Sequence, residues 1–405
     1  MAKLHRAKQE SILQKKASSR GLRGYIAGTD WLTIALCLAA SAYGVLLVHS
    51  ATLHEAKEGG LFSKDTITMI GGVALGLVLA LVMSFVDYEL VLKFWYVLAG
   101  TCLLLMLLLF TPLRWAPPGR PDATRWIKLT ESINFQPSEI LKIGFIVSFT
   151  WHIYRVRGYI NEFRTILLLG AHAAVPFGLV VITGDLGSAL VLLFVTAGML
   201  FLAGVKLRWF AAFAVLGIAA APLVWLKFVS EFQKNRILAV YLPGMLDEAT
   251  LKTFIYQQQQ AVDAIGSGQL FGKGLFKRSV SVPVRESDMI FSMAGEELGF
   301  FGALAVVALI ALVITRMILV SRRTRNLRAR LLCAGVALMI GTQSIVNIGV
   351  CLKLLPVTGI TLPFFSAGGS SNMSIYLAIG LVLMVFRYQN EHEDTQSYFD
   401  YLYSK

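Results

Sequence analysis

Long apolar runs separated by short polar stretches dominate the chain. They recur as Trp31–Ser50, Ile67–Val86, Lys93–Thr111, Pro137–Ile153, Ile166–Thr183, Leu186–Val205, Trp209–Phe228, Leu298–Val320, Leu331–Cys351 and Met373–Arg387. A membrane-crossing helix needs roughly 20 such residues, so the pattern predicts an all-α, polytopic integral membrane protein with about ten spans. The runs are continuous rather than alternating, which excludes a membrane β-barrel. Composition agrees, with 56% hydrophobic and only 15% charged residues and a mean hydropathy of +0.66.

The charges set an orientation. The basic tail over residues 1–28 carries Lys3, Arg6, Lys8, Lys15, Lys16, Arg20 and Arg23 against Glu10, which predicts a cytoplasmic N-terminus. With an even number of spans, the connections holding Arg155, Arg157, Arg164, Lys206, Arg208 and residues 321–330 are cytoplasmic as well. So is the acidic tail over 389–405, with Glu391, Glu393 and Asp394. The transmembrane domain is then 29–388, with a large outer loop over 229–297 between spans seven and eight. The net charge of +13 is largely spent on this orientation, and no nucleic-acid motif accompanies it. The basic tail suits anionic membrane lipid. Cys37, Cys102, Cys333 and Cys351 fall in or at the ends of spans without metal-ligand spacing and read as small buried hydrophobes.

Six polar stretches interrupt this picture. A loop over residues 114–135 places Arg114, Arg120, Arg125 and Lys128 on the outer side, where cations are unexpected. They call for an anion, either a ligand or lipid headgroups. Pro117, Pro118 and Pro121 fix a turn there. Span four opens on Gln136-Pro137-Ser138-Glu139, and Lys142 follows at i,i+3 from Glu139. Such neighbours form an ion pair or part of a polar cavity. Asp185 reads as a helix N-cap. In the long outer loop, Asp247–Asp263 has helical spacing, and Ala264–Gly274 carries four glycines that could turn backbone N–H groups towards a ligand. Pro356, Pro363, Gly368 and Gly369 break the last outer segment, predicting a re-entrant stretch that presents Ser370 and Ser371 at the start of span ten.

The remaining stretch, Val282–Gly302, places Glu286, Asp288, Glu296 and Glu297 just before an apolar run, where water can reach them. Asp288 is either a first-turn acid favoured by the helix dipole or a reacting group. Lys273, Lys277, Arg278 and Arg285 precede it.

Taken in order, Ala123–Leu129, Gln136–Glu139 with Lys142, Asp185–Leu190, Ala264–Gly274, Ser287–Gly302 and Leu355–Ser371 resemble the SEDS family, represented by RodA and FtsW. The segment Leu355–Ile360 is closer to RodA. The chain departs from the family pattern at Val284, Glu286 and Ser287 before the aspartate, where the flanking acid has moved and a threonine is Ser287, at Gly184 for a proline, at Gln269 for a glycine and at Ala367 for a tyrosine. The resemblance implies a glycosyltransferase that polymerises lipid II into peptidoglycan outside the bacterial cytoplasmic membrane, in cell elongation, with a class B penicillin-binding protein as partner. It identifies Asp288 with the family's essential aspartate and Glu139–Lys142 with its charged pair. Asp288 is then the expected general base of an inverting transfer. Lys142, Arg125, Lys273, Arg285 or a divalent cation neutralises the diphosphate leaving group. A lipid II flippase, a scaffold for the penicillin-binding protein, and a division or sporulation member are the alternatives.

Overall fold

The computed structural model describes residues 28–53, 61–116, 124–128, 134–227, 229–277 and 279–403, with side chains to 389 in the last of these. The basic tail, Pro117, Pro118, Arg120, Pro121 and Arg278 lie outside them. Each expected span is a helix. In chain order they are α1 (Trp31–Ala51), α2 (Lys64–Met83), a short α3 (Tyr88–Lys93), α4 (Trp95–Leu107), α5 (Pro137–Val156), α6 (Phe163–Ile182), α7 (Leu186–Leu202), α8 (Leu207–Lys227), two outer-loop helices α9 (Glu231–Tyr241) and α10 (Glu248–Gly268), then α11 (Ile290–Arg323), α12 (Leu327–Cys351) and α13 (Gly369–Tyr403).

Seven helices among the described residues are long and apolar enough to cross a membrane, and two shorter apolar ones cover Trp95–Phe110 and Leu186–Leu202. The fourth expected span, α5, is in neither group because Glu139, Lys142 and Arg155 dilute its apolar surface. Its environment is protein instead. Most of its side chains are buried, and it packs against α4, α6, α7, α12 and α13. By contrast α8 has no buried residue.

Local chemistry sets the helix starts. Asp30, Ser63, Asp185 and Asp247 each accept the backbone N–H three residues on, satisfying donors that a helix start otherwise leaves open. Ser230 and Gln233 form a reciprocal capping box at α9. Small residues shape the most extensive helix contact, between α2 and α13. A Cβ at Gly72 would lie 2.6 Å from the Gly369 carbonyl, and one at Gly76 would lie 2.8 Å from Tyr376 Cβ. Neighbouring Gly71 faces open space.

Three polar links tie α1 to α11. Arg316 grips Asp30 (Nη2 to Oδ1, 2.9 Å), Tyr43 donates to the Gly302 carbonyl at 3.0 Å, and Ser50 donates to Glu297 at 2.5 Å. The α11 helix is bent where Gly299 adopts φ +67°.

The loop before α5 folds into a small antiparallel sheet, β1 (Arg114–Trp115), β2 (Trp126–Lys128) and β3 (Asn134–Phe135), in the order β1-β2-β3. Ile127 faces both Arg114 and Phe135 in register. Its side chain is buried, which anchors Arg125 at the edge of β2.

Candidate active site

Asp288 lies in a turn immediately before α11 and is half-buried. Three contacts hold this turn. Asn347 of α12 donates through Nδ2 to the carbonyls of Asp288 and Ile360, both at 2.8 Å. Ser366 donates to the Ser287 carbonyl at 2.7 Å, and the Ala367 N–H donates to the Glu286 carbonyl at 2.7 Å. The broken segment between α12 and α13 is thus the platform on which the aspartate rests. Within the turn, Val284 has φ +52°, a left-handed conformation that a β-branched residue adopts only under strain, at a cost of about 1–3 kcal/mol.

Gly359 brings the cation to the acid. It has φ +77°, and a Cβ there would sit 2.9 Å from Arg125 Nη1 and 3.7 Å from Asp288 Oδ2. The absent side chain leaves room for the guanidinium beside the carboxylate. Arg125 Nη1 also donates to the Thr358 carbonyl at 3.3 Å and faces Asp185 Oδ1 at 3.8 Å. Among the described residues, the buried Arg125 Nε and Thr358 Oγ1 have no hydrogen-bond partner. A buried polar atom left so costs about 1–3 kcal/mol, which an arriving ligand oxygen would recover.

Asp185 does more than cap α7. Its Oδ2 accepts from Gln136 Nε2 and Ser138 Oγ, both at 2.8 Å, while Oδ1 accepts the Ser188 N–H at 3.1 Å. Burial pushes its carboxyl up, but Arg125 and the Ser188 and Ser138 donors outweigh this and hold it below the ordinary carboxylate range. One residue along α5, Glu139 takes up a separate arrangement. Lys142 donates to its Oε1 at 2.8 Å and Ser374 of α13 to its Oε2 at 3.0 Å, all in the interior. Ser371 pairs with Thr361 at 2.7 Å, and Ser370 is half-buried in the first turn of α13. Through Thr361, Ser371 adjoins the Gly359 segment.

Two expected cations have other engagements. Lys273 is held by Ser279 and by Glu296 Oε1, the latter at 3.5 Å. Buried Arg285 braces its own turn through the carbonyls of Val282 (3.2 Å) and Val280 (2.8 Å). Glu296 and Glu297, expected within reach of water, are fully buried. Glu296 Oε1 accepts the N–H groups of Ser279 (2.7 Å) and Val280 (3.0 Å), and Glu297 takes the hydroxyl of Ser50.

The glycine-rich stretch is not a ligand cradle either. The N–H groups of Gly272, Lys273 and Gly274 go to the carbonyls of Gly268, Glu296 and Glu297. Gly272 and Gly299 let two backbones touch, since a Cβ on either would fall within 2.4 Å of the other segment. Gln269, where the family carries glycine, has φ +50°.

An open polar cavity of about 430 Å³ borders the Asp288 turn, lined by Ala51, Ser279, Val280, Ser281, Val282, Arg285 and Glu286. A second, apolar cavity of about 340 Å³ lies between α6, α7 and α8, towards the ends of α6 and α7 remote from Asp185. It carries none of this chemistry. Among the described residues no group of three or more His, Cys, Asp or Glu side chains could hold a metal ion.

Comparison with known proteins gives a consistent result. The family of cell cycle proteins comprising FtsW, RodA and SpoVE matches residues 30–391. A probable peptidoglycan glycosyltransferase FtsW from Geobacter sp. (strain M18) is 31% identical, covering 89% of this chain and 97% of that protein. The corresponding Coxiella burnetii protein is 32% identical, with coverages of 89% and 96%. Among solved structures, one from a peptidoglycan synthase complex that coordinates polymerization and crosslinking superposes with a TM-score of 0.72 at 27% identity, covering 89% of this chain and 98% of that one. The rod shape determining protein RodA of Thermus thermophilus gives a TM-score of 0.63 at 28% identity, with coverages of 89% and 97%.

Proposed function

The chain belongs to the FtsW, RodA and SpoVE family of multi-pass membrane proteins, and from that premise we propose that it is a peptidoglycan glycosyltransferase with Asp288 as its general base. The observation carrying this reading is the convergence of Asp288 and Arg125 over Gly359, beside two buried polar atoms without partners among the described residues. The substrate is lipid II, a sugar chain building block on a polyprenyl diphosphate. Asp288 takes the proton from the acceptor hydroxyl as its oxygen bonds to the anomeric carbon of the donor. The bond from that carbon to the diphosphate breaks, and the electron pair leaves with the diphosphate. Positioned proton transfer of this kind contributes about 10²–10⁴-fold. Arg125, with a donor unspent, is the cation suited to the leaving diphosphate. Lys142 acts at one remove, keeping Glu139 and the start of α5 in place. Inversion follows from a single displacement.

The Asp288 end of the bundle faces outside the cytoplasmic membrane. Support comes from Arg155, Arg157, Arg322, Arg323 and Arg325 at the other helix ends, the arrangement typical of an inner face. A class B penicillin-binding protein is the partner, supported by the likeness to a synthase complex. The relatives by sequence carry the division name FtsW and a solved neighbour the elongation name RodA, so the leaning of Leu355–Ile360 towards RodA adds no choice of pathway to this proposal. Purified protein given lipid II tests the activity. Asp288→Asn should bind lipid II and form polymer about 10²–10⁴-fold more slowly, whereas undiminished polymer removes Asp288 from the chemistry. Wild-type protein that moves lipid II across vesicles and forms no polymer, even with the penicillin-binding protein present, overturns the enzyme reading.

A further inference from the structure

The far ends of α5 and α12 carry a second built arrangement, unconnected with the carboxylates. Tyr154 is approached by two guanidinium groups, with the Arg157 Cζ 4.0 Å and the Arg328 Cζ 4.5 Å from its ring centroid. One turn away Arg155 lies over Trp151, 5.2 Å from that centroid. Twenty residues of α5 separate this end from the Asp288 end, roughly 30 Å along the axis.

Three arginines are gathered here, and the only carboxylate paired with them among the described residues is Glu89, 2.6 Å from Arg328 Nη2. Arg155 and Arg157 are exposed, and Arg157 spends one nitrogen on the Tyr154 carbonyl at 3.0 Å. A guanidinium resting on an aromatic face keeps its in-plane donors directed outward. For Arg155 and Arg157, ring stacking therefore fixes the positive groups in place without neutralising them. A solvated basic loop would not hold its side chains this way, and among the described residues no aromatic ring lies under Arg322, Arg323 or Arg325 on the neighbouring connection.

We propose that the Trp151–Tyr154–Arg155–Arg157–Arg328 cluster binds the phosphodiester headgroup of an anionic membrane lipid. The bundle itself argues for a lipid over a soluble phosphate: Trp95 at the head of the apolar helix α4 stacks on Trp151, 4.7 Å between ring centroids, and is flanked by exposed Phe94, Tyr96 and Val97. An acyl chain can lie along such a surface while the headgroup meets the arginines. This site is independent of the glycosyltransferase reading, because no group in it takes part in that chemistry.

The test is native mass spectrometry of the full-length protein released from mixed micelles of phosphatidylglycerol and phosphatidylcholine. The wild type should retain phosphatidylglycerol preferentially. R155Q/R157Q should lower that retention by roughly 10- to 30-fold, the effect of two charges at a membrane surface, while R322Q/R323Q/R325Q keeps most of it. R155K/R157K should recover only part, because lysine keeps the charge and loses the planar stacking. Equal loss in the R322Q/R323Q/R325Q control would show diffuse charge and overturn the site. So would the absence of preference in the wild type. Displacement by millimolar glycerol phosphate would assign the cluster to a soluble anion and overturn the lipid. Unchanged thermal melting of R155Q/R157Q separates lost binding from lost fold.

Discussion

Ser138 and Glu139 are adjacent in the chain, yet they serve two arrangements with opposite logic. Glu139, Lys142 and Ser374 form a closed group in which both carboxylate oxygens are occupied and buried. Ser138 joins the group of Asp185, Arg125 and Asp288, where donors are left over and Asp288 is half-buried. A satisfied buried ion pair holds helices in register and offers little to a ligand. A partly satisfied one costs stability and can be repaid by substrate. Under the proposed function, the first group serves shape and the second chemistry.

The largest effect expected from breaking the contrast is at the open group. Asp288→Asn should reduce polymer formation by about 10²–10⁴-fold, with thermal stability kept, as gel analysis of lipid II products and a melting curve would show. Arg125→Gln comes next, at about 10²–10³-fold in kcat. If this residue only held the sheet, the melting temperature would fall and kcat per folded molecule would stay. In the closed group the loss should fall on stability. Lys142→Met strands a buried carboxylate and should cost about 3–5 kcal/mol, while the double change Glu139→Leu with Lys142→Met should recover most of it. Denaturation in detergent measures both.

Smaller effects sharpen the same boundary. Val284→Asn should stabilise the protein by about 1 kcal/mol, because asparagine tolerates the left-handed conformation that strains valine. If that strain poises Asp288, turnover should drop as stability rises. Asp185 gives the smallest, pH-dependent signal. Its carboxyl is held low in the folded state, so its contribution is present above the ordinary carboxylate range and lost as pH falls through the lowered value. The melting-temperature gap between wild type and Asp185→Asn should therefore be steady near neutrality and close below about pH 4.

The helices were legible in sequence because a bilayer demands length and apolarity, and both can be counted residue by residue. The polar groups were legible only where their partners are local. Lys142 follows Glu139 by one turn, so the pair announces itself. Asp185 draws on Gln136, Ser138 and Arg125, about 50 positions upstream, and its sequence context shows only a cap. Glu296 and Glu297 misled for the same reason. Two acids heading an apolar run look solvated until the N–H groups of Ser279 and Val280 and the hydroxyl of Ser50 are seen to meet them. The glycines of Ala264–Gly274 carried a real signal, namely close backbone approach, and it is answered by Gly299 rather than by a ligand.

The three links between α1 and α11 bear on how the molecule is made. Asp30 and Arg316 are 286 positions apart, so a ribosome working at about 5–20 residues per second needs roughly a quarter of a minute to a minute to supply the second after the first. During that interval the first helix sits in the bilayer with its anchoring partners unmade. Assembly of this protein therefore ends with a late docking step, and truncation before Arg316 should leave the first helix in the membrane but unmoored, a substrate for quality-control proteolysis.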